Sequence, residues 1–132
     1  MTRLDLAAGA LAALGMIILF GQPSAAQSDA DAELFRKNCQ TCHSVENDGV
    51  QRAGPSLFHV LGRKAGSIEG FPYSQALKDA KFAWSPEALD AWLTSPQAYL
   101  PGTYMMYKQN DPAVRGAIIR YLQTAAGTTP SQ

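Results

Sequence analysis

Polar and apolar residues change rhythm several times along this chain, and each change marks an element. Leu6 to Gly21 is an uncharged, mostly apolar run of 16 residues preceded by Arg3, and it gives way to Gln22, Pro23 and the small Ser24-Ala25-Ala26. A positive start, a short apolar middle and a small-residue end make a secretory signal peptide. The run is shorter than the roughly 20 residues of a spanning helix. The expected division is therefore a cleaved segment, 1–26, and one mature domain, 27–132. An uncleaved membrane anchor is the alternative, kept open by Asp5, which weakens the positive start.

Gln27 to Asp31 reads as a polar lead-in. Ala32 to Asn38 holds good helix formers, with Phe35 one turn before Cys39, so a helix is expected up to the cysteines. Between Val45 and Gly70 neither period of 2 or 3.6 is sustained, and Gly49, Gly54-Pro55, Gly62, Gly66 and Gly70 punctuate an ordered loop. Tyr73 to Lys81 suits a short helix with Ser74 as its N-cap. Ser85-Pro86-Glu87 is a strong helix start, with a capping hydroxyl, a proline at the first position and an acid in the first turn. Leu89, Trp92 and Leu93 follow on one face until Ser95-Pro96. Asp111-Pro112 repeats the start signal ahead of a stripe of Val114, Ala117, Ile118, Tyr121 and Leu122. No strand alternation and no internal repeat is found.

Composition narrows the partners. The 132 residues carry 11 Lys+Arg against 11 Asp+Glu, a formal net charge of +0. Removing 1–26 takes away Arg3 and Asp5 and leaves the balance unchanged. Nucleic acid and anionic lipid are poor candidates, because counterion release needs a cationic surface. Cys39 and Cys42 are the only cysteines, too few for a disulfide scaffold or a four-thiolate zinc site.

Those cysteines stand in Cys39-Gln40-Thr41-Cys42-His43, the attachment pattern of c-type haem. Two thiols three positions apart on a helical turn can reach the two vinyl groups on one porphyrin edge, and His43 can turn its imidazole to the iron. A disulfide between the two suits an oxidising compartment, yet leaves His43 unexplained. A thioredoxin-like motif needs a βαβ setting, and zinc needs two more ligands where only His59 is left besides methionine. A sixth iron ligand is sought among Met105, Met106 and His59. The rigid Pro101-Gly102 turn favours Met105, whose thioether suits electron transfer. Met106 points the other way and is expected to pack, and His59 reads as a turn or surface residue.

Taken in order, Phe35, the CxxCH, Gly54-Pro55-Ser56-Leu57, Gly62-Arg63-Lys64, Gly70-Phe71-Pro72-Tyr73-Ser74, Trp84, Pro101-Gly102-Thr103-x-Met105 and Tyr121-Leu122 resemble the class I cytochrome c family, near bacterial cytochrome c2 and mitochondrial cytochrome c. The resemblance covers nearly all of 27–132. It implies an all-α fold of about four to five short helices around one haem c, bound covalently through Cys39 and Cys42. In that fold the first and last helices cross near Phe35 and Tyr121. It further implies iron ligation by His43 and Met105, with the Pro55 carbonyl accepting from the His43 ring. Arg63, Tyr73 and Trp84 fall where the family hydrogen-bonds the haem propionates.

Three departures stand out. Trp92 replaces the usual Tyr beside the methionine ligand, and an indole N–H is larger and differently placed than a phenol. Tyr104 replaces the usual Lys before the ligand, and Gln97 and Ala98 are uncharged, so the cationic ring at the haem edge is thinned. The expectation is a monomeric periplasmic electron carrier that meets redox proteins and turns over no small-molecule substrate. Tyr104, Met106 and Tyr107 form its candidate contact patch. A membrane-tethered domain dedicated to one dehydrogenase or oxidase is an alternative, as is a haem enzyme or gas-binding protein with an open sixth position.

Overall fold

A computed structural model describes residues 24–125. Five helices follow in order: α1 (Ala25–Cys39), α2 (Gln75–Asp79), α3 (Pro86–Thr94), α4 (Pro96–Tyr99) and α5 (Pro112–Ala125). Among the described residues the only extended pairing is a single antiparallel bridge between Lys64 and Ala83. The all-α expectation holds.

The helix starts follow from capping chemistry. Ser74 Oγ accepts from the Leu77 amide and Ser85 Oγ from the Ala88 amide, and Pro86 opens α3. At α5, the Asp111 carboxylate accepts from the Ala113 amide at 2.8 Å. Each cap satisfies an amide that the first turn leaves without a partner. Ser95-Pro96 does end α3, but Pro96 at once opens the single turn α4, because a proline that stops one helix is pre-set for the first position of the next.

Helix α1 begins earlier than the residue pattern suggests. Residues 27–31 are helical and not a lead-in, and Asp31 is only 4% exposed. Two partners explain this burial. Gln27 Nε2 donates to Asp31 Oδ1 at 2.9 Å, and Arg120 of α5 makes a two-pronged contact with the Asp31 carboxylate at 2.8 and 2.9 Å. The Arg120 guanidinium holds the Asp31 carboxyl below its ordinary value, outweighing the opposite effect of burial.

The α1 and α5 helices pack against each other, and α5 also packs on α3. Phe35 and Tyr121 meet at the first contact with ring centroids 4.8 Å apart. Phe35, Leu89, Trp92, Leu93, Ile118 and Leu122 form the core beneath. Burying a side chain such as Phe35 stabilises by roughly 2–3 kcal/mol, so this crossing carries much of the fold.

The loop between α1 and α2 is ordered by backbone contacts. Gly62 donates to the Trp84 carbonyl at 2.8 Å, Trp84 to Arg63 at 2.9 Å and Ala65 to Phe82 at 3.0 Å. These bonds pin Arg63 beside Trp84. Gly66, at φ +65°, lets the chain pass so near α2 that a Cβ would lie 2.2 Å from the Leu77 carbonyl oxygen. Only glycine meets both demands.

Candidate functional site

Cys39 is the last residue of α1, and the chain leaves it in a tight turn: the Cys42 and His43 amides both donate to the Cys39 carbonyl, at 3.1 and 2.9 Å. Both thiols are free, Cys39 buried and Cys42 exposed. Burial, reinforced by the neighbouring Cys42, pushes the Cys39 thiol up to about 12.

The His43 ring is fixed from two sides. Its Nδ1 lies 2.7 Å from the Pro55 carbonyl oxygen, which can only accept, so Nδ1 carries the proton. Burial lowers the pKa of His43 against the opposing pull of that bond. A neutral imidazole with Nδ1 committed leaves the Nε2 lone pair for a metal. Behind the ring stands Gly54, where a Cβ would lie 2.3 Å from His43 Cε1. The Gly54 amide closes this loop on the Cys42 carbonyl at 2.8 Å.

A second group of residues surrounds Met105. Its half-buried thioether accepts a hydrogen bond from Trp92 Nε1 at 3.1 Å. The indole that replaces the expected phenol therefore still donates to this sulfur, from a position in α3. Trp84 meets Trp92 edge-on at 5.2 Å, and Phe82 and Tyr99 extend the aromatic cluster. Among the hydrogen bonds of the described residues, none joins the His43 group to the Met105 group.

The other candidate residues take defined places. Arg63 donates to the carbonyls of Phe58 and Ser56 at 2.6 and 2.7 Å, and burial lowers its pKa. Tyr73 is buried, its ring 4.7 Å from Phe71, and that burial raises its pKa against the smaller effects of the Ile68 backbone and Arg63. His59 is exposed in a turn at φ 48°. Met106 is 75% exposed and so does not pack, contrary to the expectation for it; its sulfur accepts from Gln97 Nε2 at 3.3 Å. An extended segment sends alternate side chains in opposite directions, and the inward position already belongs to Met105.

Three contributors escape a reading of the sequence. Thr103, 4% exposed, buries a hydroxyl without a partner among the described residues, as Ser44 does. The Pro-Gly-Thr-x-Met run contains Thr103 but does not announce an unpaired hydroxyl. Gly54 stands in a visible turn, but its contact with His43 has no local signal. Asn38 accepts from the Tyr107 hydroxyl at 3.1 Å across 69 positions, a contact that only folding creates.

A model of the cytochrome c family matches residues 29–126. The chain belongs to the cytochrome c family. It is 42% identical over 105 residues to the cytochrome c-type cyt cy of Rhodobacter capsulatus, covering 77% of this chain and 52% of that protein, so it spans about half that relative's length. It is 40% identical over 96 residues to cytochrome c of Gibberella zeae, covering 70% of this chain and 88% of the other. Cytochrome c2 of Blastochloris viridis is 39% identical over 85 residues, with 64% and 67% covered.

As a cytochrome c, the protein is a haem electron carrier whose haem c is attached covalently through cysteine, and Cys39 and Cys42 are its two cysteines. The residues present fit such a group. No cluster of three His, Cys, Asp or Glu side chains among the described residues could hold a bare ion, whereas iron inside a macrocycle brings its own nitrogen donors. A groove of about 420 Å³, lined in part by Gly54, Phe58, Arg63, Ile68 and Phe71, opens beside the His43 loop. The Arg63 cation lacks a carboxylate partner among the described residues, which suits a macrocycle with ionised edges. The unpaired Thr103 and Ser44 hydroxyls have donors to offer such a group.

Proposed function

We propose that this cytochrome is an exported single-haem carrier whose iron would be held by His43 and Met105. The observation that carries the reading is the state of the Met105 sulfur: of its two lone pairs one receives the Trp92 N–H at 3.1 Å, and the other is available to iron. Bound haem supplies a one-electron Fe(III)/Fe(II) couple. The chain's own residues orient and tune. Pro55 fixes the His43 tautomer, and Trp92 withdraws electron density from the Met105 sulfur. Arg63, Tyr73 and Trp84 are assigned to the haem carboxylate edge. With Met105 as a ligand the iron would have no open position for a substrate, which separates this reading from that of a haem enzyme or gas-binding protein. The test is the ferric absorption band diagnostic of methionine sulfur on iron. It should be present in the holoprotein and absent in Met105→Ala; a band that survives the substitution rejects the ligand assignment.

Segment 1–26 is assigned to export, and its first 23 residues lie outside the described structure. Cleavage after Ala26 would deliver a periplasmic carrier beginning at Gln27. One observation favours the alternative of a retained membrane tether: Ser24 caps α1, its hydroxyl accepting from the Gln27 amide at 3.3 Å, and cleavage would remove that cap. No helix among the described residues is long and apolar enough to cross a membrane. Mass spectrometry of the native N-terminus decides between a chain starting at Gln27 and one that keeps the segment. The proposed contact patch for redox partners is the outward face beside Met105, where Tyr104 is 74% and Met106 75% exposed; Tyr107, expected in the same patch, is half-buried and turns away from it.

A further inference from the structure

Residues 103–110 form neither helix nor bridge, yet they alternate in burial without a break: Thr103, Met105, Tyr107 and Gln109 turn inward, and the residues between them are exposed. Backbone-to-backbone bonds tie this segment only near its two ends, from the Thr103 amide to Leu100 at 3.3 Å and from the Gln109 amide to Leu93 at 2.7 Å. Met105 lies between these ties, so side chains must hold it.

Trp92 supplies one contact, to the sulfur itself. Gln97 Nε2 flanks Met105, donating to the Thr103 carbonyl at 2.7 Å and to the Met106 sulfur at 3.3 Å, and a further hold comes two residues after Met105. The Tyr107 hydroxyl donates to Asn38 Oδ1 at 3.1 Å and accepts from Gln109 Nε2 at 3.1 Å. The Asn38 amide is oriented by donating through Nδ2 to the Leu34 carbonyl at 2.7 Å. Each member of this chain polarises the next. Asn38 immediately precedes Cys39, so the chain fastens the methionine-bearing segment to the end of the helix that carries the first thiol.

We propose that Tyr107 is a positioning residue for Met105, its hydroxyl on Asn38 acting as a latch that sets how readily the sulfur is exchanged for an external ligand. The inference rests on Met105 being the sixth ligand, as proposed above. Opening the latch costs one hydrogen bond between half-buried groups, and opening must accompany any outward swing of the segment. The latch therefore weighs directly on ligand exchange.

The test is titration of the ferric holoprotein with imidazole at fixed pH, read by loss of the methionine–iron band. Tyr107→Phe keeps the ring and removes only the hydroxyl. It should raise imidazole affinity about fivefold, within the net worth of one hydrogen bond. Asn38→Ala should do the same, the double variant should add little to either, and hydrogen exchange at the Gln109 amide should quicken. Unchanged imidazole affinity in Tyr107→Phe overturns the latch, even if the variant melts at a lower temperature, because Tyr107 is then only a packing residue. Fully additive effects of the two single variants overturn it as well. If Met105→Ala leaves the band in place, the ligand assignment has failed, and the latch fails with it.

Discussion

His43 is positioned by backbone of the turn and loop that directly follow α1, whereas Met105 is positioned by side chains that arrive from other elements. On the histidine side, the Cys39 carbonyl sets the turn, the Pro55 carbonyl holds Nδ1 at 2.7 Å, and Gly54 lies against the ring. On the methionine side, an indole 13 positions away holds the sulfur and an amide 69 positions from Tyr107 holds the segment. Backbone carbonyls cannot be removed by substitution, and a short loop can hardly place them elsewhere. Side-chain donors are removable one at a time, each with a modest effect. The histidine side should accordingly fail steeply when it is crowded, and the methionine side should loosen in small steps.

The largest effect is expected at Gly54→Val. A Cβ at 2.3 Å from His43 Cε1 forces either the ring off Pro55 or the loop off Cys42, at a cost of roughly 3 kcal/mol. Denaturant unfolding of the holoprotein measures it. A loss below about 1 kcal/mol would show that the histidine side relaxes as easily as the other, and the contrast would disappear.

Next is Arg120→Ala, which acts on the helix crossing beneath both sides. Losing the two charge-assisted bonds to buried Asp31 should cost about 2 kcal/mol at neutral pH, discounted because Arg120 is half exposed. The pH dependence has a definite sign. Asp31 titrates in the folded protein below its ordinary value of 3.8, so its stabilisation is complete above 3.8 and lost as pH falls through the lowered value. Unfolding free energy measured against pH should fall less in Arg120→Ala than in the parent over that acid window. Equal slopes would remove Asp31 as a source of acid sensitivity.

On the methionine side alone, Trp92→Phe keeps an aromatic ring and deletes the N–H on Met105 Sδ. An N–H dipole aimed at the sulfur disfavours extra positive charge on the iron, so its removal should lower the reduction potential by roughly 40 mV, the equivalent of about 1 kcal/mol. Voltammetry of the two holoproteins checks this. A potential that also stays the same in Trp92→Tyr would refute a tuning role for the residue. The smallest effect concerns the outer surface of the same segment. With Tyr104 and Met106 outward and Lys108 the one cation of residues 103–110, association with a redox partner should slow by less than roughly threefold as salt is raised. A steep dependence in stopped-flow measurements would mean that charges elsewhere steer the encounter.

The legible parts of the molecule are those whose physics is local. Ser74, Ser85 and Asp111 are found capping the helices their positions announce, since a cap needs only a short side chain and an amide two or three residues on. The CxxCH is equally local, because thiol spacing on a turn decides what it can bind. Asp31 was not legible: a lone acid among polar residues looks solvated until Arg120, 89 positions away, is brought to it. Met106 was misread for a related reason. Its direction away from Met105 is legible from the alternation of an extended segment, but whether another element covers it there is a matter of tertiary packing, and none does so enough to bury it.

By itself the sequence determined the starts of α2, α3 and α5, the ordered loop, the chemistry of Cys39, Cys42 and His43, and a neutral balance that survives removal of 1–26. These depend on side-chain type and spacing within a few residues. Tertiary structure alone decided that Gly54 abuts the His43 ring, that Trp92 donates to Met105, that Asn38 meets Tyr107 and that Asp31 is buried. Each of these joins groups separated by loops or whole helices. Their proximity is a property of how α1, α3 and α5 pack, and no local preference encodes it.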